Sequence, residues 1–304
     1  MKCDLHVHTV SSGMCTVPVL DRVCRESYND PRAVYDTLKR RGMDLVTVTD
    51  HDSIDAVEPL RREQDFFLSE EVSCTMASGT SLHMGVYDIR ERHHLELQRR
   101  RDDMPSLLAY LDEQRLLFSV NHVFSGLTGA RKNSDFDEFA SRFPAVETLN
   151  GQMLPSANRY AAAFATTRRK VAIGGSDAHT MASLGRTYTE VPGARDQSEF
   201  LAGLRRGHSL VAGESGNYWK LTKAIWAIGR ELIRERPWTW ILAPLMTVVP
   251  IVTIANLICE LSFASKWNRA LSKVPFKPAL RGGTRVPGYF PLAPTHRSAP
   301  WQFP

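Results

Sequence analysis

Two histidines separated by one residue, in the run Asp4-Leu5-His6-Val7-His8-Thr9, carry the plainest chemical signal in this chain. Residues two apart on an extended strand share a face, so both imidazoles aim at one point while Leu5 and Val7 face the other way. Neutral imidazole is a good ligand for transition metals. The alternative is a pair of unrelated surface histidines, and the rest of the sequence has to separate the two readings. Asp50 and His51 follow Val46-Thr47-Val48-Thr49, and Glu71 lies in Ser69-Glu70-Glu71-Val72-Ser73. His83 opens an apolar run, His122 follows Phe118-Ser119-Val120-Asn121, and Asp177 and His179 follow Ala172-Ile173-Gly174-Gly175-Ser176. These groups stand at the edges of expected strands, whereas His93 and His94 fall inside an expected helix.

Such edges need elements to hold them. After a strand opening at Lys2, Asp30 reads as an N-cap, Pro31 as the first helical residue and Gly42 as the stop of a helix over 30–41. Strands are predicted at 45–49, 66–73, 82–87, 117–121, 146–149, 171–174, 186–191 and 209–212. Helices are predicted at 54–63, 105–114, 136–142, 156–168 and 197–206. Alternation of this kind predicts an α/β fold with a mostly parallel sheet, open or closed into a barrel. In such folds chemistry gathers at the C-terminal ends of the strands. The mixed-charge run over 90–103 reads most simply as a solvated helix and connector. A rim gripping RNA or a nucleotide is the sharper alternative.

The length of 304 residues with 43% hydrophobic composition suits one large domain, or a domain with an appendage. Five cysteines, Cys3, Cys15, Cys24, Cys74 and Cys259, form no Cys-x-x-Cys pair and argue for a reducing compartment. A first strand at Lys2 leaves no stretch for a signal peptide. The net charge of +5 is uneven: residues 1–219 carry 26 basic and 30 acidic side chains, whereas residues 264–304 carry 7 basic and none acidic. The body is mildly acidic, so the alkaline pI does not argue for nucleic acid.

The last quarter is different material. Residues 218–236 read as an amphipathic helix, and 237–259 contain no charged residue but include Trp238, Trp240, Pro244 and Pro250. That run exceeds the ~20 apolar residues that cross a bilayer, yet both flanks are basic, which opposes a single crossing. An interfacial or re-entrant anchor on an anionic membrane surface, through 218–281, is the favoured reading. A helix packed on the body or on a partner subunit is the alternative. The resulting division is 1–215 as the body, 216–263 as a membrane-associated appendage and 264–304 as a basic, flexible Pro/Gly-rich tail.

Taken in order, Asp-x-His-x-His at 4–8, Thr-Asp-His at 49–51, Glu-Val-Ser at 71–73, His83, Asn-His at 121–122 and Gly-Ser-Asp-Ala-His at 175–179 resemble the PHP family, the polymerase and histidinol phosphatase superfamily. The resemblance spans about residues 1–215 and implies a distorted (β/α)7 barrel, here followed by the C-terminal hydrophobic helical appendage. It implies two or three divalent ions, zinc, manganese or iron. The first is held by His6, His8, Asp177 and a bridging Glu71, the second by Glu71, His83 and His122, and the third by His51 and His179. In Ser11-Ser12-Gly13-Met14-Cys15, Gly13 offers no side chain where the family often places a further Asp or His. The third site is then weak, or is completed by Asp50 or Cys15.

The implied activity is phosphoester hydrolysis by attack of a metal-bound hydroxide, with Glu71, Asp177, His179 and Asp50 as the catalytic groups. Asp50 and Asn121 are also natural partners that orient the neighbouring rings. Arg186 is a candidate for the substrate phosphate, whereas Arg159 reads as surface charge. The substrate expected is a small phosphomonoester, a nucleotide or an oligonucleotide, and the expected location is the cytoplasm at the inner face of the cell membrane. The competing function is a non-catalytic, metal-stabilised binding module recruited to a membrane by its C-terminal segment.

Overall fold

A computed structural model describes residues 1–18 and 20–272. The expected flexible tail lies outside the described residues from 273 onward. Its first part, however, is helical, which corrects the boundary drawn at 263/264: α8 (Val249–Ser272) runs through it and buries Trp267.

Among the described residues, eight strands form two ladders in a mixed α/β fold. One has the order β1 (Lys2–Cys3), β7 (Thr187–Glu190), β8 (Leu210–Gly213), all antiparallel. The other runs β2 (Ser69–Thr75), β3 (Ser81–Tyr87), β4 (Leu117–Val120), β5 (Ala145–Asn150), β6 (Val171–Gly175). Only β4, β5 and β6 pair in parallel, while β2, β3 and β4 are antiparallel. The expectation of a mostly parallel sheet is therefore corrected. A tight turn in which Met76 N–H donates to Thr80 O at 2.8 Å joins β2 to β3, and such a connection forces antiparallel pairing.

Past Cys3 the expected first strand makes only the single bridge of Val7 with Ala178, and the segment expected as a strand at 45–49 only that of Val46 with Phe66, with His51 bridging Glu71 just beyond it. Side chains have taken the ladder positions there. Thr49 Oγ1 accepts from Val7 N–H, Asp50 accepts from Thr9 N–H, and Thr47 Oγ1 donates to Phe67 O. These bridges link the two ladders, and the described residues do not form one continuous closed ladder.

The helices are α1 (Pro31–Arg40), α2 (Glu91–Arg100), α3 (Met104–Glu113), α4 (Asn133–Arg142), α5 (Pro155–Arg168), α6 (Gln197–Arg205), α7 (Tyr218–Glu235) and α8. Asp30, Asp103, Asp196 and Asn217 accept from backbone N–H groups of the first turns of α1, α3, α6 and α7. The helix expected over 54–63 is a 3-10 turn at Asp55–Leu60, where Pro59 supplies no N–H for an α-helical bond. Proline also divides the apolar run: Pro237–Thr247 is 3-10 helical and α8 restarts with Pro250 in its first turn.

Three apolar clusters carry the body. The largest joins β2–β5 and α3–α5 through Phe118, Phe136, Phe143 and Phe164, and α8 adds Ala264 and Trp267 to it. Leu5 belongs to a second cluster with Phe67 and Phe200, and Val7 to a third with Val34 and Val48. With Leu5 and Val7 each buried in one of these clusters, the alternating His6 and His8 are left to face the other way.

Candidate metal centre

Six imidazoles surround two carboxylates. Glu71, from β2, places Oε2 3.2 Å from His6 Nε2, 3.4 Å from His8 Nε2 and 3.4 Å from His51 Nδ1. Its Oε1 lies 3.3 Å from His122 Nε2 and 3.7 Å from His83 Nδ1, and accepts from Asn121 Nδ2 at 2.8 Å. Asp177 Oδ1 lies 3.6 Å from His6 Nε2, and 3.4 Å from both His8 Nε2 and His179 Nδ1. All eight residues read from the sequence as metal ligands thus meet in one place, in overlapping groups of three.

Local backbone conformation helps to aim them. His122 and Asp177 both adopt left-handed φ, +31° and +50°, directly after strands, a strain of ~1–3 kcal/mol each that concentrates at functional sites. Gly175 lets the chain pass close behind His6, since a Cβ there would lie 2.4 Å from His6 Cβ.

The donor set fits cations, and His8 shows why. Its Nδ1 sits 3.0 Å from Ser12 Oγ, and the single Ser12 hydroxyl proton is donated to Asp50 Oδ1 at 2.7 Å. Ser12 can therefore only accept from His8, so Nδ1 carries the ring proton and Nε2 presents a lone pair. That Nε2 is buried without a hydrogen bond and faces Glu71 and Asp177. Lone pairs of an imidazole and two carboxylates converging in a buried space are mutually repulsive unless a cation sits among them.

The charge states agree. Burial pushes His8 down to about 3, with His179 and His51 adding to the effect, so the ring is neutral. Burial likewise pushes His83 down to about 4. His51 moves up to about 9, because Glu71 and Glu26 outweigh its burial. Burial raises Glu71 and Asp177, but the surrounding imidazoles win and hold both carboxylates well below their usual range.

Two residues not singled out from the sequence belong to the site. Glu26 Oε1 stands 3.5 Å from both His51 Nε2 and His179 Nε2, the place where Gly13 left the third group short of a ligand. It comes from an irregular loop with no periodic pattern, so nothing local marked it. Glu147, buried in β5, pairs with His6 Nδ1 at 2.7 Å and accepts from His122 N–H at 2.8 Å. A lone acid within Ala145-Val146-Glu147-Thr148-Leu149 was a readable signal.

Other expectations are corrected. Asp50 does not enter the cluster as a catalytic group or ligand; its oxygens accept from Thr9 N–H, Thr9 Oγ1 and Ser12 Oγ, so it acts on His8 through Ser12. Cys15 does not complete the third group, where Glu26 stands instead. Arg186 lies apart from the imidazoles, beside Glu214 at 3.7 Å on a neighbouring cavity. In the charged run, His94 pairs with Glu70 at 2.5 Å, supporting α2 against β2 rather than forming a ligand. Exposure gives the site a mouth: the Glu71 side chain is 1% accessible, whereas that of His83 is 27% accessible.

A family model described as PHP-associated matches residues 155–209. No curated protein matches the chain. Among solved structures, PsfC from Pseudomonas syringae PB-5123 is 20% identical with a TM-score of 0.52, over 76% of this chain and 97% of that one. An amidohydrolase from Chromobacterium violaceum is 15% identical with a TM-score of 0.44, over 68% and 97%. The lesion-specific endonuclease PfuEndoQ from Pyrococcus furiosus is 17% identical with a TM-score of 0.43, over 65% and 54%. At these identities the likeness to PsfC speaks to the fold alone.

Proposed function

We propose that this chain is a PHP-type metal-dependent hydrolase whose cluster hydrolyses a phosphate ester, a reading supported by the PHP-associated match over residues 155–209 and by the clustered imidazoles and carboxylates. The observation that carries the reading is the sharing of Glu71 among five imidazoles, with the His8 lone pair turned toward it. In this reading the fold is a distorted (β/α)7 barrel whose two ladders are joined through the His6–His8 segment. His6, His8, Glu71 and Asp177 hold one ion, Glu71, His83 and His122 a second, and His51, His179 and Glu26 a third.

Bound divalent ions lower the pKa of water toward ~7 and neutralise phosphoryl oxygens. The residues supply preorganisation. Glu147 fixes the His6 ring, Ser12 fixes the His8 tautomer, and Asn150 Nδ2 donates to both Glu147 and Asp177 at 2.9 and 3.0 Å. The more exposed side of the cluster, at His83, His51, His179 and Glu26, receives the ester. The protein reconstituted with zinc, manganese or iron is to be tested on an aryl phosphate, a bis-aryl phosphate and short RNA, beside Asp177→Ala and His6→Ala. Hydrolysis lost in the variants supports the reading; equal rates in all three proteins reject it in favour of a metal-stabilised binding module.

Membrane docking has an observation of its own. Trp238, Trp240, Ile241, Leu245, Ile251, Val252, Ile254 and Ile258 are exposed on the appendage, and α8 is the one helix among the described residues long and apolar enough to cross a membrane. It is not free to do so. Glu260 accepts from Gly126 N–H at 3.0 Å, and the Trp267 ring stands 5.0 Å from that of Phe136. The part before Glu260, residues 249–259, is ~16 Å long against ~30 Å of hydrocarbon. We therefore place the appendage on one face of a membrane, as an interfacial anchor at the cytoplasmic side.

A further inference from the structure

Next to the metal centre is a cavity of about 420 Å3 lined by none of the six imidazoles. Thr180, which follows His179, joins it to the centre, and its charged lining is Arg186, Lys220, Lys223 and Glu214. Arg186 Nη1 lies 3.7 Å from Glu214 Oε1, and Lys220 Nζ 3.9 Å from Glu214 Oε2. Arg186 and Lys220 thus share one carboxylate through long contacts, Lys223 adds a third cation to the lining, and the cavity is left net positive.

Lys220 is the informative member. Its Nζ is buried and makes no hydrogen bond, although an ammonium has three protons to donate. Burial pushes its pKa down while Glu214, Asp4 and Asp177 oppose the shift, which puts the ammonium within electrostatic reach of a metal-centre carboxylate. Asn217 caps α7 by accepting from Lys220 N–H at 3.0 Å. The cap fixes the start of the helix, and Lys223, three residues on, falls on the same side as Lys220. Both lysines lie beyond residue 209, where the PHP-associated match ends. Trp219 adds an aromatic wall to the same cavity.

We infer that this cavity is a second anion site, in which Lys220, Lys223 and Arg186 hold a phosphate other than the one cleaved, so that the preferred substrate carries two phosphate groups. The word substrate rests on the phosphoesterase reading; the anion site does not. Cationic side chains supply charge-assisted hydrogen bonds, the aromatic wall meets the organic part of the molecule, and the cavity's border at Thr180, next in sequence to His179, puts the other phosphate on the side of the cluster.

The test titrates inorganic phosphate into the metal-loaded full chain by calorimetry. Wild type is expected to bind at two places, Lys220→Met/Lys223→Met to lose the cavity event, and His8→Ala to keep it. Arg186→Met, at an exposed position, is expected to weaken the same event about tenfold, and matched thermal unfolding shows that each variant is folded. Unchanged binding in Lys220→Met/Lys223→Met and in Arg186→Met overturns the site. Persistence of the cavity event with no hydrolysis by wild type keeps the site and rejects the phosphoesterase reading. A soluble organic bisphosphate and vesicles carrying a phosphoinositide, compared with phosphatidylcholine vesicles, then separate the two sources of the second phosphate. For the source that is used, the ratio of kcat/KM over a monophosphate ester is expected to fall tenfold or more in the double variant. An unchanged ratio for both sources overturns the assignment of the site to substrate.

Discussion

Ser12 Oγ donates to Asp50 Oδ1 at 2.7 Å, which leaves that hydroxyl able only to accept from His8. The relay turns the His8 lone pair toward Glu71 and Asp177. Partners of this kind are worth 10–100-fold in metal affinity. Ser12→Ala is expected to lower affinity by about that factor with little change in fold. Competition against a chromophoric chelator measures it, and affinity equal to wild type would refute the relay.

Glu26 supplies the carboxylate of the third group, 3.5 Å from His51 Nε2 and His179 Nε2. Glu26→Gln keeps the shape and removes the charge. Elemental analysis of the purified variant is expected to find about one metal ion fewer per chain than in wild type, since ligand charge and count set occupancy. An unchanged metal count would reject the assignment.

How far the sequence carried the site depends on how local each signal was. His6, His8, His51, Glu71, His83, His122, Asp177 and His179 stand at or beside strand ends, where an apolar run broken by a polar side chain is visible in a few residues, and the structure brings them together. Glu26 was invisible because its place comes from a loop folded back by bonds such as Cys15 N–H to Cys24 O. Asp50 was misread as a catalytic group or ligand because its neighbour His51 faces the cluster, yet the side chains of consecutive residues point to different places, and Asp50 acts only as a ring-orienting partner through Ser12. Helices with caps, such as α1 and α6, were legible to within a residue or two. The mixed ladder was not, because strand direction is decided by connections and side-chain bonds rather than by any one segment.

The metal-free protein should be least stable at both ends of the pH scale. His8 and His83 fold with pKa values of about 3 and about 4, below the unfolded value of ~6.5. Their preference for the neutral ring is present above ~6.5 and is lost as pH falls through the folded values, because the unfolded chain takes up protons first. His51 folds with a pKa of about 9, so its contribution is complete below ~6.5 and is lost as pH rises through about 9. Thermal unfolding after chelator treatment is expected to peak between these limits, near pH ~6.5. Metal loading should broaden the alkaline side, because it replaces the proton that His51 otherwise keeps. A midpoint independent of pH from 5 to 9 would contradict these assignments.

Truncation before α7 is a poor test of membrane docking, because it uncovers the Phe136 and Phe164 face that Trp267 packs against. Substitution on the exposed face avoids this. Trp240 and Ile251 are 68% and 67% accessible, so Trp240→Ser/Ile251→Ser leaves the core intact. Each side chain, if it buries fully in lipid, contributes ~1.5–3 kcal/mol. Co-sedimentation with vesicles of phosphatidylcholine and phosphatidylserine is expected to fall at least about tenfold in the double variant, with hydrolysis of a soluble aryl phosphate retained. Basic residues such as Lys223, Arg230 and Arg234 on α7 add an electrostatic part that salt screens, so wild-type binding should also weaken between low and physiological ionic strength. Sedimentation of both proteins to the same extent would assign the exposed apolar face to a protein partner instead.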